Sequence, residues 1–253
     1  MTPASVGFQC PECVQEGSAG VRAPRGPGLR GAARQWGPVT LGLIAVNVAM
    51  FLVTAVAAAL AGNNPLDNYA DRLWQELAQV PLLVQGGDWW RVVTAAFEHV
   101  GLVHLVLNML ALLVFGSELE RALGRWRFLG VYGVALLGGA AAIQLFGNPL
   151  QSVAGASTAI YGLLGALGVL LLAGRQSLRG LVTLLVLNIV ISVVVPGISI
   201  LGHLGGLVAG AAAAGVVVLT RRRPAVQAAG LGALGGVLLV LALAVPAGSI
   251  VGY

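Results

Sequence analysis

The chain has 253 residues, of which 58% are hydrophobic and only 9% charged, with a formal net charge of +5. A soluble fold carries roughly 25% charged residues, so a soluble globular protein, a disordered chain and a disulfide-stapled secreted domain are all excluded, and a multi-pass membrane protein remains. All fourteen basic residues are arginine, and their placement reports topology rather than nucleic-acid binding; no nucleic-acid partner is expected.

The first residues, 1–37, read as a flexible cytoplasmic tail rich in Gly, Pro and Arg, with no secretory signal. The tail holds a Cys-x2-Cys knuckle, Cys10-Pro11-Glu12-Cys13. A structural zinc site needs four ligands, and the sequence has no other cysteine, so zinc binding by Cys10 and Cys13 alone is not expected. No other metal and no cofactor is expected either.

A bilayer core about 30 Å thick takes roughly 20 helical residues. The charge-free gap between Arg34 and Asp67 predicts a first span over 39–61. A long outer loop, 62–98, follows, with a short interfacial helix over Asp71–Leu77 and Trp89-Trp90 as an interfacial aromatic pair. The gap between Glu98 and Glu118 predicts a second span over 100–115. Residues 128–174 are too long an uncharged run for one helix, and Gly147-Asn148-Pro149 breaks them into a third and a fourth. Residues 180–220 break at Pro196-Gly197 into a fifth and a sixth, and 224–253 supply a seventh. The runs lack the polar–apolar alternation of barrel strands. The expected fold is an all-α membrane protein: a six-helix core over 38–220, and a basic linker with a seventh helix over 221–253.

Twelve of the fourteen arginines fall before the first span or in the second, fourth and sixth connections, and only Arg72 and Arg91 fall on the other side. The Arg-rich side is expected to be cytoplasmic. The N-terminus is then inside, the C-terminus outside, and the lipid bilayer surrounds the rest.

Strongly polar side chains inside a membrane are costly and mark function. His99 stands at the entrance of the second span, with His104 and Asn108 inside it; Ser157 begins the fourth and His203 the sixth. All three of those spans run inward, so Ser157, His203 and His104 are expected at one depth near the outer face. His104 and Asn108 are four apart and share a helix face, as do Ser157 and Tyr161. Gly165 and Gly168 on the fourth span, and Gly202, Gly206 and Gly210 on the sixth, permit the close helix approach that a Ser–His hydrogen bond needs. The set supplies a nucleophile, a base and two oxyanion donors. No Asp or Glu is expected in any span.

These residues resemble the rhomboid intramembrane serine proteases over residues 38–220. Gly155-Ala156-Ser157 with Tyr161-Gly162 is similar to the family's nucleophile segment, and Gly202-His203-Leu204-Gly205-Gly206 to its histidine helix. His99, His104 and Asn108 reproduce its second-helix spacing; Trp90-Arg91 resembles its first-loop motif, and Glu120 with Leu123-Gly124 its pattern after the second helix. Thr158 departs from the Gly that often follows the nucleophile, and either crowds the oxyanion region or adds a donor. The seventh helix is an addition found in part of the family, and the cysteine knuckle is similar to the tail of a zinc-ribbon-like extension that precedes some members.

The resemblance implies a Ser157–His203 dyad without a carboxylate, with an oxyanion held by the Ser157 N–H, His104 and Asn108. It implies that Tyr161 packs on the His203 ring, that Gly155 leaves room for substrate backbone, and that Arg91 ties the first loop together. It also implies a wet cavity opening outward, capped by a loop and the fifth helix, and substrates that are other transmembrane proteins, cut in or near their spans. The alternatives are a catalytically inactive rhomboid-like binding module, which would lack Ser or His, and a transporter or a structural scaffold, neither of which accounts for the polar set.

Overall fold

The protein is described here from a computed structural model that covers residues 2–3, 8–9, 28–194 and 197–248. The chain divides into two compact units, Met1–Gln35 and Trp36–Tyr253. In the first, Thr2–Pro3 (β1) pairs antiparallel with Phe8–Gln9 (β2). Leu29–Trp36 forms α1 inside the segment expected to be a flexible tail; the run Ala32-Ala33-Arg34-Gln35 consists of good helix formers and stops before Gly37. Cys10 and Cys13 lie outside the described residues.

Among its described residues the second unit consists of helices joined by loops, with a single β-bridge between Gln79 and Val153. Pro38–Leu60 forms α2. The long loop then folds as three short helices, Arg72–Leu77 (α3), Pro81–Gln85 (α4) and Arg91–Thr94 (α5). Gly101–Leu123 (α6), Arg125–Phe146 (α7), Ser157–Ala173 (α8), Arg179–Val194 (α9), Ile200–Leu219 (α10) and Pro224–Ala244 (α11) complete the bundle. Five of the seven apolar helices are long enough to cross a membrane, and α8 and α9, with 17 and 16 residues, are shorter. At 1.5 Å per residue α8 spans about 25 Å, less than the thickness of a hydrocarbon core.

The second span is longer than the uncharged gap indicates. A π-turn at Leu112–Gly116 carries the helix on to Leu123, where Gly124 turns the chain at φ +80°. Glu118, Glu120 and Arg121 thus lie in the last turns of this helix, beyond the span expected over 100–115. Uncharged length marks the apolar stretch, whereas helix ends follow from backbone propensity and a glycine stop. Pro196 lies outside the described residues, and Gly197 at φ +85° stands between α9 and α10.

At the heart of the unit α8 packs against α10, and both rest on α7. Apolar chains gain nothing by leaving apolar lipid, so this seam depends on close contact rather than on water exclusion. Gly206 faces the Thr158 carbonyl and Gly210 faces Gly162; a Cβ at Gly162 would stand 2.9 Å from the Gly206 carbonyl oxygen. Side chains at these positions would force the helices apart.

Polar staples fix the ends. Buried Glu120 caps α2, accepting from Val39 N–H (3.0 Å), Thr40 N–H (2.7 Å) and the Thr40 hydroxyl (2.8 Å). Its negative charge is thereby placed at the positive end of the helix dipole. Arg91 is buried in the long loop, paired with Asp88 at 2.8 Å and donating to the Gln75 and Ala78 carbonyls at 2.6 and 2.9 Å. Trp90 Nε1 reaches the Glu76 carbonyl at 3.3 Å. Gln144 of α7 donates to Pro81 O at 3.2 Å, and its backbone carbonyl accepts from Gly248 N–H at 3.0 Å, so one residue joins the loop to the end of the chain beyond α11.

Candidate active site

The loop that follows α7 delivers the candidate nucleophile. Gln79 and Val153 exchange two backbone hydrogen bonds of 2.9 Å, and Gly155 N–H donates to Ala95 O at 2.8 Å. The segment before α8 is therefore pinned to the long loop. Ala156 is the N-cap of α8, and Ser157 is its first residue. The free N–H groups of that first turn leave local positive potential beside the Ser157 hydroxyl.

Ser157 Oγ lies 2.8 Å from His203 Nε2, a contact made across the glycine seam by residues 46 apart in sequence. The Tyr161 ring stacks on the His203 ring, with centroids 3.9 Å apart and planes within 11°. Tyr161 is one turn after Ser157, so the helix that presents the hydroxyl also clamps the imidazole. The other ring nitrogen of His203, Nδ1, lies 3.0 Å from Ser192 Oγ on α9.

His104 comes to the same place from α6. Gly155 has a φ of +135°, and the position where its Cβ would stand is 3.1 Å from His104 Nε2 and 3.4 Å from Ser157 Oγ. Both groups thus face one small gap, which exists because residue 155 has no side chain. His104 Nδ1 accepts from Val100 N–H at 3.3 Å. A neutral imidazole that accepts at Nδ1 carries its proton on Nε2, so a donor points toward the gap. Asn108 is buried one turn further along and spends one amide N–H on the His104 carbonyl at 2.9 Å, which leaves its second N–H. Among the described residues it makes no hydrogen bond to Ser157 or His203.

His99 is buried beneath this group, its ring edge-on to that of His104 at 5.1 Å. It lies in the loop before α6, where burial, reinforced by His104, pushes it down to about 3. It is neutral at physiological pH and fills space. Its neighbour Glu98 is equally buried, and burial pushes its carboxyl up to about 8. Neither carboxyl oxygen finds a partner among the described residues.

Thr158 packs into the helix seam. Its Cγ2 is 2.8 Å from where a Gly202 Cβ would stand, and its Cβ 2.7 Å from where a Gly139 Cβ would stand. The β-branch fills the seam between α7 and α10 that two glycines open. Trp90, Arg91, Glu120, Gly206 and Gly210 lie outside the reacting group and shape the scaffold around it.

Sequence reading did not single out Ser192. It sits mid-run in an apolar helix, where serine commonly bonds its own backbone. Its position four residues after Asn188 is the only local signal, and nothing in that spacing points to His203. No group of three metal-ligating side chains occurs among the described residues.

The family model described as "Rhomboid domain" matches residues 86–222, which include all of the residues gathered at the site. The chain is similar to rhomboid protease GluP of Bacillus subtilis, 38% identical over 168 residues, covering 64% of this chain and 32% of that protein. It is also similar to Rhomboid-like protease 2 of Toxoplasma gondii, 32% identical over 177 residues (66% of this chain, 61% of that protein). Rhomboid protease AarA of Providencia stuartii is 34% identical over 102 residues, covering 40% of this chain and 34% of that protein. The chain thus spans about a third of the length of GluP and of AarA.

Proposed function

The chain belongs to the rhomboid family, and we propose that it is an intramembrane serine protease that cleaves other transmembrane proteins in or near their spans. The observation that carries this reading is the 2.8 Å contact between Ser157 Oγ and His203 Nε2 at the mouth of a short apolar helix. A hydroxyl with a bare imidazole nitrogen in reach is an activated nucleophile.

In this mechanism Ser157 Oγ attacks the scissile carbonyl as His203 Nε2 takes its proton. The carbonyl electrons move to oxygen, which enters the gap beside Gly155. There the Ser157 N–H, His104 Nε2–H and the free Asn108 amide N–H stabilise the oxyanion. Collapse expels the amine, which receives the proton from His203, and an acyl-enzyme forms. Water then attacks the acyl group by the same route in reverse. The short α8 and the pinning of its start to the long loop support a site sunk within the membrane that water enters from the side of that loop. By the arginine bias that side is extracytoplasmic, with the N-terminus inside and the C-terminus outside. The domains that follow are a cytoplasmic tail over 1–37, the protease core over 38–220, and a linker with the seventh helix over 221–253.

Co-expression with a tagged single-span membrane protein tests the reading. Wild type should release a shortened product, while Ser157→Ala and His203→Ala should release none and remain folded. Cleavage by Ser157→Ala would remove the serine-protease reading. Loss of cleavage in the wild type, with substrate still co-purifying, would favour an inactive binding module.

A further inference from the structure

The α9 helix rests only lightly on the bundle. Its neighbours α8 and α10 touch it at few places, and Ser192 is its buried residue among those described. Most of its apolar side chains are exposed or half-buried, and the one residue it buries is polar. Ser192 Oγ makes three contacts: 2.8 Å to the Asn188 carbonyl, 3.0 Å to His203 Nδ1 and 3.3 Å to the Tyr161 hydroxyl.

One pattern of directions satisfies all three contacts at once. A carbonyl only accepts, so the single Ser192 proton goes to Asn188 O. The Ser192 lone pairs are then left to accept, from His203 Nδ1–H and from Tyr161 O–H. A neutral imidazole with its proton on Nδ1 has Nε2 bare, and Nε2 is the atom that faces Ser157 Oγ.

We propose that Ser192 is the positioning residue of this site: its hydroxyl oxygen holds the His203 ring in the tautomer that makes Nε2 the base, so that the base is set only while α9 is seated. The inference rests on the serine-hydrolase chemistry proposed above for Ser157 and His203. When Ser157 Oγ bonds to an electrophile, its proton passes to Nε2, and the electron pair of the broken O–H bond forms the new bond. The Nδ1–H stays where it was, bonded to Ser192, and the new imidazolium charge is met by the Ser192 oxygen dipole. No proton passes to Ser192, because its own is committed to Asn188. In dyads backed by a carboxylate a charged oxygen does this work; here it is a neutral one, borrowed from a third helix.

The test uses the full chain in detergent and a fluorophosphonate, which labels an activated serine without requiring a membrane substrate. Ser192→Ala should slow labelling of Ser157 and lower kcat about 5- to 50-fold, with KM within about twofold. Ser192→Thr, which keeps the hydroxyl, should recover most of the rate. Independently, 15N NMR of the histidines, with His203 assigned by His203→Gln, should show a protonated Nδ1 and a bare Nε2 in the wild type. In Ser192→Ala the two tautomers should mix. Labelling of Ser192→Ala at the wild-type rate, or an unchanged tautomer, would overturn the inference even if the variant melts at a lower temperature. A wild type that labels at Ser157 but cuts no membrane protein would instead sink the protease reading and leave Ser192 in place.

Discussion

Replacing Gly155 by alanine should silence the site for two separable reasons. The first is backbone strain: Gly155 has φ +135°, and holding an L-residue in such a region costs about 1–3 kcal/mol. The second is occupancy. The new Cβ would stand 2.9 Å from His104 Cε1, 3.1 Å from His104 Nε2 and 3.4 Å from Ser157 Oγ. Carbon atoms rest at about 3.5–4 Å, so the His104 ring must retreat by roughly 1 Å, and the gap meant for an oxyanion is filled. Losing one such donor is typically worth 10²–10³ in kcat, and an error of 1 Å in placement is of similar weight. The expected outcome is therefore a fall in kcat of about 100- to 1,000-fold with a modest drop in melting temperature. Gly62→Ala supplies the control, since Gly62 has φ +79° with nothing within 4 Å of its Cβ position. It should lower the melting temperature through left-handed backbone strain alone and keep its activity. Single-turnover cleavage and thermal unfolding of both variants in one detergent decide the matter. Gly155→Ala within about threefold of wild type, or Gly62→Ala equally impaired, would refute the assignment of that gap to the oxyanion.

Three further outcomes follow from the same geometry. His104→Ala and Asn108→Ala should each lower kcat roughly 10- to 1,000-fold with little change in KM, because an oxyanion donor acts only in the transition state; active variants with lowered melting temperatures would make helix α6 structural. Glu98 titrates at about 8 when folded, against 4.5 for a glutamate in water, so between those values the folded state holds a proton that the unfolded state has released, and stability falls as pH rises through that window. At about 1.4 kcal/mol per pH unit the loss is on the order of 5 kcal/mol by pH 8, so Glu98→Gln should match wild type near pH 4.5 and melt higher at pH 8; parallel melting curves across this range would show that the Glu98 carboxyl finds a partner. Glu120→Ala strands the two backbone donors and the hydroxyl that it caps at the start of α2, and should cost about 2–4 kcal/mol in thermal unfolding while kcat below the transition is kept.

Charge and apolar length were enough to determine the seven helices, their order and the turn at Gly147–Pro149, because a bilayer admits few backbone solutions and punishes every stray charge. They also exposed His104, Asn108, Ser157 and His203, since polar groups in an apolar run stand out against their cost. What the linear pattern could not hold were distances across helices. It did not contain the π-turn that carries α6 on to Leu123, the helix Leu29–Trp36, or the path of Thr158 into the seam between Gly139 and Gly202. Nor did it hold Ser192, whose sequence neighbours are as apolar as those of any lipid-facing serine. Its meaning comes from α9 leaning on α8 and α10, which brings its oxygen to 3.0 Å from His203. Burial is written along a chain as composition, but the tautomer of an imidazole depends on the partner of its far nitrogen, and here that partner is 11 residues away in sequence, on a different helix, within hydrogen-bond reach only once the bundle has closed.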